Sequence, residues 1–542
     1  MRMKRFSPGL VSLILLGFLG LFTFIRFYDE AFPTASIDFK VSRAQAKRDA
    51  GEFLRSRGFG LEGYESCIIF SHDGYAQIYM EKTLGLREAN KLMSSDVSVW
   101  YWQARWFKPL QKEEFEVYID PRGRVVGFSH LILEDAEGAN LARSQALRLA
   151  SEFLAGQQGI DPGGYELVES ASEKRKQRTD HYFQWKRKDF EVGEATYRLS
   201  VQVQGDIVGS YDEFLKVPED FKRDYRKTRS RAGLLGTISE SFQTVLFVGL
   251  IIAFMFKFRT GDIRWRFALA LAVAVVIPTI AQSINSLPLA RSGFPTEATL
   301  ANSIAGWVTS ASIAALLSGL YIWFVGSTGE SMYREVYREN LPSTFTLKHL
   351  GSQEFFISSL VGYALAFAFL GYLVGFYLAG EKFLGVWSPA HPPYDNIVST
   401  SIPWIYPLTI GVSAAISEEF FFRLFAISFL KKYLKKTFLA LLIPAMIWAF
   451  AHSFYAVEPI YIRGVELTIA GVAIGWVFLR FGIFAVLIAH YVINAMIASL
   501  PLLRSTSPYF FISGLLVVGL MLIPIIWVAT QSIVRKTCEV IR

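Results

Sequence analysis

The chain has 542 residues, of which 52% are apolar, 15% aromatic and 19% charged, with a mean hydropathy of +0.32. The charged share falls below the roughly 25% of soluble domains, and 46 Phe, 12 Trp and only two Cys exclude a disordered chain, a collagen-like repeat and a disulfide scaffold. The net charge of +8 is uneven: residues 28–231 hold 31 Lys/Arg and 33 Asp/Glu, leaving 24 and 14 elsewhere, so a near-neutral soluble part is joined to an apolar, basic part that reads as membrane-embedded.

The first apolar run, residues 9–25, follows Arg2, Lys4 and Arg5 and precedes no small-x-small cleavage site. Residues 1–27 therefore read as an uncleaved N-terminal membrane anchor. Residues 28–231 read as an α+β extracytoplasmic domain inserted after that span, and they contain a duplication. Gln45-Ala46-Lys47-Arg48-Asp49-Ala50-Gly51-Glu52-Phe53-Leu54 recurs as Gln145-Ala146-Leu147-Arg148-Leu149-Ala150-Ser151-Glu152-Phe153-Leu154, within copies at about 40–132 and 140–216. Each copy continues to a Gly-rich turn and a Tyr-Glu pair, Tyr64-Glu65 and Tyr165-Glu166. Residues 115–130 alternate around Gly123 and residues 197–211 around Gly205, which predicts hairpins. Each copy is thus expected as one amphipathic helix followed by antiparallel strands, a pattern that loosely resembles the PepSY-type modules of bacterial envelope proteins. The region carries no nucleophile motif and no phosphate loop. His72, His130 and His181 are scattered and read as surface or partner-bonded histidines. The expectation is a binding, gating or docking domain for an envelope partner.

Nine further apolar runs follow, at residues 238–256, 267–286, 302–324, 355–379, 402–430, 438–454, 460–479, 483–502 and 509–530. Each has the length of a bilayer span, so the fold class is mainly α, a polytopic helical bundle of about ten spans. Residues 232–354 supply spans of unassigned role, residues 355–530 form a later membrane domain, and residues 531–542 are a tail. With the N-terminus inside, 18 Lys/Arg fall in inner segments, among them Arg2, Lys4, Arg5, Lys257, Arg264, Arg334, Lys432, Arg480, Arg535, Lys536 and Arg542. Only Arg291, Lys382, Arg463 and Arg504 fall outside. That bias places both termini in the cytoplasm of a multi-pass protein, with a bacterial plasma membrane the expected location. One cluster opposes the rule, Lys222, Arg223, Arg226, Lys227, Arg229 and Arg231 on the outer side. Because the basic excess lies in short turns, it reads as an orientation signal and a contact with lipid headgroups, not a nucleic-acid surface. Cys67 and Cys538 fall on opposite faces and build neither a disulfide nor a metal cluster.

Three late spans break the apolar pattern, with Glu418-Glu419-x-x-x-Arg423, with Trp448-x-x-x-His452, and with His490-x-x-x-Asn494. Intramembrane ionisable groups cost roughly 2.5–3.5 kcal/mol on insertion scales and are functional suspects. Glu419 and Arg423 share a helix face and can pair, whereas Glu418, turned by about 100°, is left free. Glu418 and His452 lie equally far in sequence from the turn at Lys435, so an antiparallel hairpin sets them at similar depth. His490 and Asn494 share a face. Such a set can hold and activate water, with Glu418 as general base and His and Asn donors on an oxyanion. Alternatively Glu418, His452 and His490 bind a divalent metal such as zinc. Arg463 and Glu466 read as an interfacial ion pair.

Taken in order, these three motifs resemble those of the CPBP family, the CAAX-protease and bacteriocin-processing intramembrane endopeptidases related to type II CAAX prenyl proteases. The resemblance covers about residues 355–530. It implies an all-helical catalytic domain that hydrolyses peptide bonds of membrane-associated proteins or peptides. By it, Glu418 activates water with His452, His490 and Asn494 form the oxyanion side, and Glu419 with Arg423 are supporting. Members are described both as metalloproteases and as metal-independent glutamate proteases. Trp448 stands where the family usually has Phe, which puts the pocket's shape there in question. No His-Glu-x-x-His, Gly-x-Ser-Gly or Gly-x-Gly-Asp motif occurs in the chain. The rival readings are a proton-coupled transporter relaying through Glu418, His452 and His490, and a non-catalytic membrane scaffold.

Overall fold

The computed structural model describes residues 8–32, 40–339, 341–389 and 397–531. Arg2, Lys4, Arg5, Arg535, Lys536, Arg542 and Cys538, which carry the expectations about both ends of the chain, lie outside the described residues. The protein is mainly helical, with a separate antiparallel sheet domain near its N-terminus.

Helix α1 (Pro8–Ala31) is followed by α2 (Arg43–Ser56), β1 (Glu65–His72), α3 (Gly74–Leu84), α4 (Leu86–Ser95), β2 (Trp100–Phe107), β3 (Glu114–Ile119) and β4 (Val125–Leu131). The second copy runs α5 (Arg143–Glu152), β5 (Tyr165–Lys174), β6 (Thr179–Val192), β7 (Ala195–Gln204) and β8 (Ile207–Lys216). The repeated segment forms corresponding elements: Ala46, Ala50 and Leu54 of α2, and Ala146, Ala150 and, just past α5, Leu154, are buried at the same intervals. This i, i+4, i+8 stripe is what a helix presents to a sheet. The strands alternate buried and half-buried residues, with Trp102, Phe115, Phe128, Phe183 and Tyr211 fully enclosed. All eight strands form one sheet, ordered β1-β2-β3-β4-β8-β7-β6-β5. The two meanders therefore join through their last strands, with Phe128 opposite Tyr211. They differ in one place, where β1 and β2 are separated by α3 and α4 while β5 turns directly into β6.

Helix α6 (Glu219–Arg259) is 41 residues long and leaves the sheet domain without a break, a length of about 60 Å at 1.5 Å per residue. Its first turns hold the basic cluster that conflicts with the charge rule. Half of that charge is matched locally, by Lys222–Glu219 at 2.9 Å, Arg223–Asp220 at 2.7 Å and Lys227–Asp224 at 2.9 Å. Next come α7 (Trp265–Asn285), α8 (Leu287–Ser292), α9 (Leu300–Tyr337) and α10 (Gln353–Leu384). The late part comprises α11 (Ile405–Glu418), a π-helical stretch Glu419–Ile427, α12 (Ser428–Leu434), α13 (Thr437–Phe450), a 3-10 turn Ala451–Phe454, α14 (Ile462–Phe481), α15 (Ile483–Leu503) and α16 (Pro508–Met521).

Among the described residues eight helices are long and apolar enough to cross a membrane, or nine if Pro508–Met521 and Ile523–Gln531, bent by 47°, form one span. The expected run at 402–430 is absent from that count because no single regular helix covers it. Residues 402–430 are not one regular helix but three consecutive helical pieces of different pitch. The last run bends where Pro524, which has no N–H to donate, opens the second piece.

Two seams hold the membrane part together. Helix α1 packs on α10 through small residues: a Cβ at Gly20 would lie 2.2 Å from the Phe367 carbonyl oxygen, and one at Gly371 2.3 Å from the Gly20 Cα. In an apolar solvent such close backbone approach supplies the van der Waals contact that water would otherwise drive. At the end away from the sheet, Arg334 meets Asp262 at 2.6 Å and Glu330 at 3.0 Å, while Glu335 meets Lys257 at 2.9 Å and Lys432 at 2.8 Å. This network joins α6, α9 and α12.

Candidate active site

The site forms where α11 passes into the π-helical stretch. Every residue from Glu419 to Ile427 is buried, and the wider i→i+5 turn, a feature frequent at functional sites, begins directly after Glu418. Glu419 turns inward and is fully buried, with Arg423 Nη1 3.0 Å from its Oε1. The Arg423 guanidinium also lies 4.5 Å from the centre of the Trp448 ring. A buried cation is tolerable here because a carboxylate and an aromatic face share it. Glu418 faces the other way, into a cavity of about 810 Å³, and keeps 27% of its side chain exposed.

The 3-10 turn after α13 brings up His452. Its Nδ1–H donates to the Trp448 carbonyl oxygen at 2.7 Å. A carbonyl only accepts, so the neutral ring carries its proton on Nδ1 and leaves Nε2 as an acceptor. The Trp448 indole N–H donates to Glu418 Oε2. His490, from α15, bridges the two glutamates, with Nδ1 2.7 Å from Glu419 Oε1 and Nε2 3.7 Å from Glu418 Oε2. Asn494, one turn further along α15, lines the same cavity.

All seven residues expected from the motifs thus meet in one place. Glu418, Trp448, His452, His490 and Asn494 line the cavity, and Glu419 and Arg423 stand behind it. The turn bearing His452 is braced from α6: Arg229 donates to the carbonyls of Phe454 and Tyr455, the latter at 2.9 Å, and Ser239 Oγ donates to the Ile447 carbonyl at 2.5 Å.

Three further residues enter the site that the motifs did not single out. Arg463 does pair with Glu466, at 2.5 Å, and the pair adjoins the site: Glu466 is fully buried and Arg463 lines the cavity. His72 and Gln77 of the sheet domain line it as well. Spacing along the chain carries no signal for His72 and Gln77, which lie hundreds of residues before the motifs. The proposed metal set fares differently. His452 and His490 are bonded through Nδ1, which leaves Nε2 of each ring toward the cavity, but among the described residues no three His, Cys, Asp or Glu side chains are arranged to hold a metal ion. The arrangement present does not fit the expected zinc site.

Residues 400–496, which contain all seven motif residues, match the family model described as type II CAAX prenyl endopeptidase Rce1-like. Over 513 residues the chain is 21% identical to the sporulation-killing factor biosynthesis protein SkfC of Bacillus subtilis (strain 168), covering 92% of this chain and 96% of that protein. No solved structure matches the chain. These similarities favour neither a transporter nor a scaffold, and with the ordered motifs and their convergence in a helical bundle they support a likeness to the CPBP family of CAAX-type intramembrane proteases.

Proposed function

We propose that the protein is an intramembrane endopeptidase in which Glu418 is the general base. The observation that carries this reading is the convergence of Glu418, His452, His490 and Asn494 on one cavity enclosed by the helical bundle. Water held between Glu418 and His452 Nε2 gives a proton to the carboxylate as its oxygen attacks the scissile carbonyl carbon. His490, held beside Glu419 as an imidazolium with Nδ1–H on that carboxylate, donates its Nε2–H to the resulting oxyanion, and the Asn494 amide stabilises it from the same side as charge develops. Glu418 then returns the proton to the departing amine, which completes hydrolysis without net change in the enzyme. Glu419 and Arg423 orient the site: Glu419 fixes the ring of His490 through Nδ1, and Arg423 pairs with Glu419 from behind.

The substrate is a membrane-associated protein or peptide. A relative named for the biosynthesis of a sporulation-killing factor supports maturation of a precursor over general degradation. The same reading sets the protein in a bacterial plasma membrane with both ends cytoplasmic and the sheet domain outside, where it also meets an envelope partner. The test is substrate trapping: the Glu418→Gln chain, expressed in its native membrane, accumulates uncleaved precursors that wild type converts to shorter products. Identical membrane proteomes in the two strains would refute the proposal.

A further inference from the structure

The sheet domain lies outside the residues matched by the protease family, and its two copies are not equivalent toward the membrane. In the second copy β5 turns straight into β6, with Lys174 paired to Thr179. In the first copy the corresponding connection is expanded into α3 and α4. That expansion begins where the sheet domain reaches the active site: His72 ends β1, Gln77 and Ile78 lie in the first turns of α3, and all three line the cavity that contains Glu418, His452, His490 and Asn494.

Several contacts fix this corner in place. Lys82 of α3 lies 2.7 Å from both carboxylate oxygens of Glu458 and 4.7 Å from the centre of the Trp387 ring. Glu458 and Trp387 exchange backbone hydrogen bonds of 2.8 and 2.9 Å. The Phe70 N–H donates to Ser399 Oγ at 2.7 Å, and the His72 ring stacks on Trp100 at 5.2 Å. Core residues of the sheet also share one apolar cluster with Ile397, Val398, Leu502 and Phe510 of the membrane part. The wall is therefore built in and needs no movement to reach the site.

We propose that the α3 expansion is the specificity-determining wall of the protease: His72, Gln77 and Ile78 contact the substrate chain on the sheet-domain side of the scissile bond. The occupant is an extended polypeptide segment entering from that side. Ile78 and the facing apolar residues Leu373, Ile493 and Ile497 select an apolar side chain, and His72 and Gln77 offer polar groups to its main chain. The inference rests on the protease reading above, and it assigns the duplicated domain a role in substrate selection that the catalytic motifs do not supply.

The test uses the full chain in liposomes with a pool of synthetic single-span peptides that vary in side-chain size on either side of the cleavage point. Ile78→Trp and Ile78→Ala should reorder the pool in opposite directions. KM should change by about tenfold for peptides with large apolar residues on the sheet-domain side, with kcat on accepted peptides kept within about threefold. An unchanged ranking in both variants overturns the inference, and so does a uniform fall in kcat. A second arm does not require catalysis. A benzophenone side chain at position 78 in the Glu418→Gln chain should cross-link to the same peptides, and absence of a cross-link overturns the inference. Cross-linking without cleavage by wild type would leave the wall standing and refute the protease reading instead.

Discussion

Trp448 donates its indole N–H to Glu418 while its ring face covers Arg423. One side chain thus ties the carboxylate that faces the cavity to the buried Glu419–Arg423 pair behind it. The family that the motifs resemble usually holds Phe at this position, which offers the same aromatic face but no donor. The substitution that put the pocket's shape in question therefore changes its hydrogen bonding.

Trp448→Phe should keep the fold and the cation–π cover of Arg423 but free Glu418. A hydrogen bond to a charged group contributes about 1.5–3 kcal/mol, so kcat should fall about ten- to hundredfold with KM within about threefold. Steady-state cleavage of a trapped substrate measures this, and an unchanged kcat would show that the indole N–H does not position Glu418.

Arg229 is expected to act through the His452 turn, since it holds the carbonyls of Phe454 and Tyr455. Arg229→Ala should lower kcat about tenfold, and Arg229→Lys, which keeps one charged donor, should restore part of it. A merely structural role would instead give a lower melting temperature with normal kcat in the surviving protein.

The α1–α10 seam predicts a stability effect far from the chemistry. Gly20→Leu or Gly371→Leu forces apart backbones in contact and should cost about 1–3 kcal/mol, read as faster thermal inactivation in detergent. Gly375→Leu is the control, because nothing lies within 4 Å of a Cβ there. Equal inactivation rates for all three variants would contradict the packing.

Chelation tests the metal question directly. Because no three of the described His, Cys, Asp or Glu side chains are arranged to hold a metal ion, exhaustive chelation should leave the cleavage rate within about twofold. Loss of activity that stoichiometric zinc restores would require the site to rearrange around a metal.

Much of this architecture was legible because it depends on local period. The Glu419–Arg423 pair follows from their spacing in a helix, and the matching stripes at Ala46, Ala50 and Leu54 and at Ala146, Ala150 and Leu154 follow from the duplication. What stayed hidden depends on distant segments meeting. Glu419 bonds His490 71 residues away, and the two meanders share one sheet only through β4 and β8. His72 reaches the cavity from a strand whose own sequence gives no reason to look there. The π-helical turn after Glu418 was equally unreadable, since hydropathy records an apolar run and not its pitch.

Whether Glu418 activates water to hydrolyse a peptide bond is measured most directly by mass spectrometry of products formed in water enriched in oxygen-18, comparing the wild-type and Glu418→Gln chains in liposomes with a trapped substrate. The wild-type product should carry one heavy oxygen in its new C-terminal carboxyl, and Glu418→Gln should give no product. Labelled product formed at the wild-type rate by Glu418→Gln would contradict that role for Glu418.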